Sequence, residues 1–319
     1  MLAAAAWFAA PGCNFLDEVP DEASVYRLES NETALMQIYD ARLHRWPVPY
    51  ESLDLETSYG TTRVIASGPA EGQPLVLLHA MGLNATMWLP NVEALAVNHR
   101  VYALDTIGDL GKSRLYDHEH YPRDGGEMAG WLTEVMDGLG VESAVLVGSS
   151  MGGWIALNAA VHAPGRVDGL ALLGPVGIKS PLKVLYRLFR FMLFPTESGK
   201  RSMVAWTLGD DPEVRAEFEQ YMMTALDCRG KLPMPRTLSD DDLRSVTVPV
   251  LLLLGEDDNP VPDPEGLRAK AERLIAGIEV GILADTGHIM NVEEPGSVNR
   301  RILEFLGETA PAPAQVPGG

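Results

Sequence analysis

Short runs of Val, Leu and Ile alternate along the chain with stretches of helical spacing, the pattern of a largely parallel sheet covered by helices. Eight runs read as strands: Leu53–Thr57, Thr62–Ala66, Leu75–Leu78, Arg100–Leu104, Ala144–Val147, Gly169–Leu173, Pro249–Leu254 and Ile278–Leu283. Only Ser58-Tyr59-Gly60-Thr61 separates the first two, a hairpin-length link, whereas helical stretches long enough for crossovers separate the later ones. One antiparallel strand in an otherwise parallel sheet is expected. Ahead of the strands, Glu32–Trp46 carries Leu35, Ile38, Tyr39 and Leu43 at helical spacing and stops at Pro47, which predicts a lead-in helix.

The rhythm breaks between Pro175 and about Leu243, where no strand pattern occurs but amphipathic windows do, Lys183–Phe194 and Glu213–Leu226 among them. The expected organisation is a flexible segment over 1–31, a first core part over 32–175, a helical cap over 176–244, a second core part over 245–307 and a disordered Pro/Ala/Gly tail over 308–319. Lys183, Arg187 and Arg190 share one face of the first window, with Leu185, Leu188, Phe189, Met192, Leu193 and Phe194 on the others. Its expected role is to bury an apolar face on the sheet, with Phe189 shared with a pocket.

At 319 residues and 46% hydrophobic the chain can bury a sizeable core, which excludes wholesale disorder. A formal charge of −19, from 25 Lys and Arg against 44 Asp and Glu, argues against nucleic acid as the partner. Two distant cysteines, Cys13 and Cys228, support neither a disulfide framework nor a cysteine zinc site. No stretch has the length of a spanning helix. Met1–Cys13 is read as a frayed, Ala-rich start of a cytoplasmic protein, the alternative being a lipoprotein-type or exported leader.

The strongest local signal is Gly148-Ser149-Ser150-Met151-Gly152, which follows a buried strand and opens a helix. A turn that sharp strains the backbone of its middle residue and leaves no room for side chains on the flanking ones, hence glycine. Ser150 is the expected nucleophile. Serine alone does not form an alkoxide near neutral pH, so a base and an orienting acid are required. His288, in Asp285-Thr286-Gly287-His288-Ile289 after the last strand, is the expected base. The acid is expected just past the preceding strand, with Asp258 chosen and Asp257 the alternative. Backbone N–H groups of Met81, in the loop after the third strand, and of Met151 are the candidate oxyanion donors. Leu83, Trp88 and Trp154 join Phe189 as candidate substrate-binding residues, and His79 is expected to brace its loop. No metal or organic cofactor is called for.

Taken together, His79-Ala80-Met81-Gly82, Asp105–Ser113, Gly148–Gly152, Gly255–Asp258 and Gly287-His288 resemble the α/β-hydrolase superfamily over about residues 39–306. More narrowly, Trp46-Pro47, Ile65–Pro69, Met87-Trp88, Tyr102–Ser113 and Leu251–Glu256 are similar to bacterial carboxylesterases of the naproxen-esterase type. Ala80 departs from the family pattern, which has glycine there. The resemblance implies an α/β-hydrolase fold with an eight-stranded, mostly parallel sheet and an inserted helical cap. It implies hydrolysis of a small-molecule carboxylic ester through an acyl-enzyme on the Ser150/Asp258/His288 triad. Alternatives are a carbon–carbon bond hydrolase of ring-cleavage diketones, which Ser150-Met151-Gly152-Gly153 also resembles, a perhydrolase or acyltransferase, and a ligand receptor that retains the triad.

Overall fold

The computed structural model describes residues 25–26, 29–117, 119–179, 186–187, 196–209, 211–228 and 230–307. Most of the basic window of the insert, Phe189 included, and both chain ends lie outside the described residues.

The apolar runs form one sheet of β1 (Tyr50–Thr57), β2 (Gly60–Ser67), β3 (Gln73–Leu78), β4 (His99–Leu104), β5 (Arg114–Leu115), β6 (Ala144–Ser149), β7 (Val167–Leu173), β8 (Val250–Gly255) and β9 (Glu279–Leu283). Its order is β1-β2-β4-β3-β6-β7-β8-β9, with β5 paired to β2. β2 runs antiparallel to β1, β4 and β5, and every pairing from β4 to β9 is parallel. The eight expected strands all form, each with shifts of a few residues at its ends. The ninth, β5, has only two residues and no apolar run to announce it. It sits on Gly60, where a Cβ would lie 2.1 Å from the Arg114 carbonyl oxygen.

Strands inside a doubly covered sheet bury both faces, so their sequences read as continuous apolar runs. Leu75, Val76, Leu77 and Leu78 of β3 are fully buried, as are Leu170–Leu173 of β7, whereas β9 at the edge is only half-buried. Truncating one such leucine to alanine costs about 2–5 kcal/mol.

Among the described residues the α-helices are α1 (Glu29–His44), α2 (Leu89–Leu95), α3 (Gly125–Gly138), α4 (Met151–His162), α5 (Glu197–Leu208), α6 (Pro212–Ala225), α7 (Asp240–Ser245), α8 (Pro264–Leu274), α9 (Met290–Glu293) and α10 (Pro295–Phe305). α1 is the expected lead-in helix, and just beyond it Trp46 anchors to the sheet through Nε1–H donating to Ser67 Oγ at 3.0 Å. Between β7 and β8 the described residues hold α5, α6 and α7 and no strand. α6 is held against α1 and the core: buried Arg42 pairs with Glu217, donates to Thr86 Oγ1 and the Thr86 carbonyl, and lies over the Phe218 ring. No helix among the described residues is long and apolar enough to cross a membrane.

Candidate active site

Parallel strands put their carboxyl ends, and the loops that follow them, at one edge of the sheet. β6 delivers Ser150 there. Its φ of 52° and ψ of −108° lie outside the regions a serine ordinarily occupies, and such strain persists only where the surroundings impose it. They do so by contact: a Cβ on Gly148 would lie 2.5 Å from the Gly152 backbone, and one on Gly152 would lie 2.1 Å from the Leu78 carbonyl oxygen. Ser150 N–H donates to Leu173 O at 2.9 Å, which fastens the turn to the end of β7. Its side chain makes no capping bond to α4, leaving the hydroxyl for other work.

The next residue along β7, Gly174, lies directly beneath a carboxylate and an imidazole. His288 Nδ1 is 2.9 Å from both Asp258 Oδ1 and Asp258 Oδ2. Both residues are buried, at 5% and 4% exposure, whereas neighbouring Asp257 is exposed. Of the two carboxylates considered, Asp258 is the one that meets His288. It also accepts the Val261 N–H at 2.7 Å, which fixes its orientation. Burial by itself lowers the His288 pKa, but the charge and hydrogen bond of Asp258, aided by the Glu293 charge, outweigh it and raise the pKa above its usual value.

The loop bearing His288 is clasped by Glu293, whose carboxylate accepts Gly287 N–H at 2.5 Å and Ile289 N–H at 3.0 Å. Beyond it, Asn91, Asn291 and Asn299 form a buried amide cluster that joins α2 to α9 and α10. Neither Gly174 nor Glu293 was singled out from the sequence. The available signals were a glycine ending a buried apolar strand just before Pro175, and a carboxylate one helical turn past Ile289.

After β3, residues 79–83 turn tightly. Thr106 N–H donates to His79 Nε2 at 2.9 Å, so the proton sits on Nδ1 and goes to the Ala80 carbonyl oxygen at 2.9 Å. Burial lowers the pKa of this histidine, in keeping with a neutral brace. Gly82, at φ 76°, donates to the buried Asp109 carboxylate at 3.0 Å. Met81, one residue earlier, has no acceptor for its N–H among the described residues and is 46% exposed. Met151 N–H opens α4 and therefore has no intrahelical acceptor.

Leu83, Trp88 and Trp154 are all buried in the core rather than open to solvent. Trp154 donates from Nε1 to the Arg236 carbonyl oxygen at 2.9 Å. Among the described residues no cluster of His, Cys, Asp or Glu could hold a metal ion.

Comparison with known proteins places this chain in a family. The Alpha/beta hydrolase family matches residues 75–301. A Bacillus subtilis protein named as the uncharacterized carboxylesterase nap is 33% identical over 293 residues, spanning 89% of this chain and 96% of that one. Among solved structures, carboxylesterase CesB (YbfK) from Bacillus subtilis has a TM-score of 0.79 at 30% identity, covering 87% of this chain and 98% of that one. Naproxen esterase (carboxylesterase NP), also from Bacillus subtilis, has a TM-score of 0.78 at 31% identity, covering 88% and 99%. With a strand-turn-helix serine at the carboxyl edge of its sheet and a family match over most of its length, the chain belongs to the alpha/beta hydrolase family and resembles its naproxen-esterase-type carboxylesterases.

Proposed function

We propose that Ser150 is the nucleophile of this carboxylic ester hydrolase, with His288 as its base and Asp258 orienting the imidazole. The observation that carries the reading is the buried His288–Asp258 pair standing over Gly174, whose neighbour Leu173 accepts the backbone N–H of the strained Ser150. The Nδ1–H bond to Asp258 leaves Nε2 free to take the serine proton as Oγ attacks the ester carbonyl. Negative charge then develops on the carbonyl oxygen beside the start of α4, where the N–H groups of Met151 and Met81 stabilise it. His288 returns the proton to the departing alcohol. Water, deprotonated by the same imidazole, releases the acid from the acyl-enzyme.

Leu83, Trp88 and Trp154, all buried, are the proposed substrate-binding residues beside this site, and the insert between β7 and β8 is its proposed cap. Phe189, which lies outside the described residues, remains a proposed substrate-binding residue.

The test is a steady-state comparison of wild type and Ser150→Ala on p-nitrophenyl esters, with a fluorophosphonate label located by peptide mass. Turnover that falls by several orders of magnitude in the variant, with label on Ser150 in wild type, is the expected result. Full activity in Ser150→Ala would overturn the assignment. Label on Ser150 without ester turnover would point instead to diketone cleavage or to a receptor.

A further inference from the structure

The segment of the insert between α6 and α7, Lys231-Leu232-Pro233-Met234-Pro235-Arg236-Thr237-Leu238, has no regular secondary structure but is tied at both ends. Lys231 N–H donates to Gly108 O at 2.7 Å, in the loop after β4. Leu238 N–H donates to Gly177 O at 2.8 Å, in the loop after β7. In the sheet β3 and β6 lie between those two strands, so the loops after them, bearing Met81 and Ser150, lie between the two ties.

Three strand spacings amount to about 14 Å, and the seven residue steps from 231 to 238 reach at most about 25 Å. The segment is therefore long enough to cross the carboxyl edge from one tie to the other. Contacts at each end agree. A Cβ on Gly230 would lie 3.8 Å from Oδ1 of Asp109, the carboxylate that holds Gly82 beside Met81. At the other end the Arg236 carbonyl accepts from Trp154, one turn into the helix that Ser150 begins. Between these contacts stand Pro233, which is buried, and Met234, which is 43% exposed.

The two prolines make this strap stiff. Each fixes its own φ, and Leu232 and Met234, each preceding a proline, are confined to extended conformations. The strap thus holds Met234, a large apolar residue 43% exposed, at a set place along its path between the two ties. Met81, in the loop after β3, is also exposed, at 46%. A thioether on a flexible stem adapts to apolar surfaces of differing shape.

We infer that Met234 is a specificity-determining residue, which with the Met81 side chain grips the apolar limb of an ester lying between the strap and the elbow. The preferred substrates are esters with an alkyl or aryl limb long enough to reach this lip, over acetates of small alcohols. The inference rests on the site proposed above.

The experiment measures kcat/KM of wild type, Met234→Gln and Met234→Leu on two series, p-nitrophenyl esters from acetate to octanoate and alkyl acetates from ethyl to octyl. Fluorophosphonate labelling of Ser150 is followed in each protein. Met234→Gln is expected to lower the long-to-short ratio of kcat/KM by about tenfold in one series, chiefly through KM, and Met234→Leu to restore most of it. Ratios in both series within twofold of wild type overturn the inference. An equal loss on all esters does so too, because it would make the strap a scaffold only. A wild type that neither labels at Ser150 nor turns over any ester would instead remove the underlying site.

Discussion

Gly174 and Asp258 share one space: a Cβ at position 174 would lie 2.8 Å from Asp258 Oδ2 and 3.5 Å from His288 Nδ1. The backbone there has φ of 49°, so the position resists a side chain on conformational grounds as well. Gly174→Ala is expected to displace the Asp258 carboxylate and lower kcat by about 10²-fold, the scale set by an ångström of misplacement in a catalytic array. Backbone strain adds about 1–3 kcal/mol of destabilisation. Parallel measurement of kcat and urea unfolding separates the two effects, and an unchanged kcat would show that Asp258 tolerates the intrusion.

Activity and stability should respond to pH in opposite senses. As a base His288 must be neutral, so kcat/KM is expected to rise with pH through a midpoint above 6.5, because the Asp258 partnership and the Glu293 charge overcome the lowering by burial. A histidine whose folded pKa exceeds its unfolded value of about 6.5 stabilises the fold fully below that value and loses this contribution as pH rises through the folded pKa. The acid form is thus the better-held and the less active one. A pH profile of kcat/KM whose midpoint lies below 6.5 would contradict this balance.

Glu293 reaches His288 through the backbone, accepting the N–H groups of the residues on either side. It also contributes charge near the imidazole, while Asp211 and His288 are the titratable groups that bear on it in turn. Glu293→Gln keeps an acceptor oxygen but removes that charge. Two changes are expected: the acid limb of the kcat/KM profile moves to lower pH, and kcat falls by about tenfold as one N–H loses its acceptor. A purely structural clasp would lower kcat without moving the limb, which the profile would reveal.

How far the sequence carries depends on what each feature rests on. The strands were legible because burial on both faces demands unbroken apolar runs, and the elbow because its glycines answer to local sterics. β5 was not, since two residues paired to Gly60 leave no periodicity to find. Asp257 and Asp258 are chemically alike and adjacent, so only the turn after β8, which buries one and exposes the other, tells them apart. Gly174 and Glu293 act across chain separations or through backbone groups, and neither kind of contact writes a pattern. Trp88 and Trp154 read equally as pocket or core, and both prove to be buried.

The last prediction concerns how the insert meets the loop that carries Met81. Tyr221 on α6 is buried; its hydroxyl donates to Leu110 O at 2.8 Å and accepts from Asn84 Nδ2 at 3.0 Å. Asn84 in turn accepts Thr86 N–H at 3.0 Å, capping the short helical turn that follows the loop. Tyr221→Phe removes one hydroxyl yet leaves a buried carbonyl and a buried amide each short of a partner. The expected cost is about 1–3 kcal/mol in urea unfolding, since unsatisfied buried groups bear their desolvation in full. Because Asn84 adjoins Leu83 and the Met81 turn, kcat should fall severalfold while the Ser150 label still forms. Glu217→Gln supplies the contrast: it weakens the pairing of buried Arg42 and exposed Arg45 with α6 but leaves Tyr221 in place. That variant should lose stability without the fall in kcat, and equal kcat losses in both would mean that α6 acts on the site as a whole rather than through the Tyr221 hydroxyl.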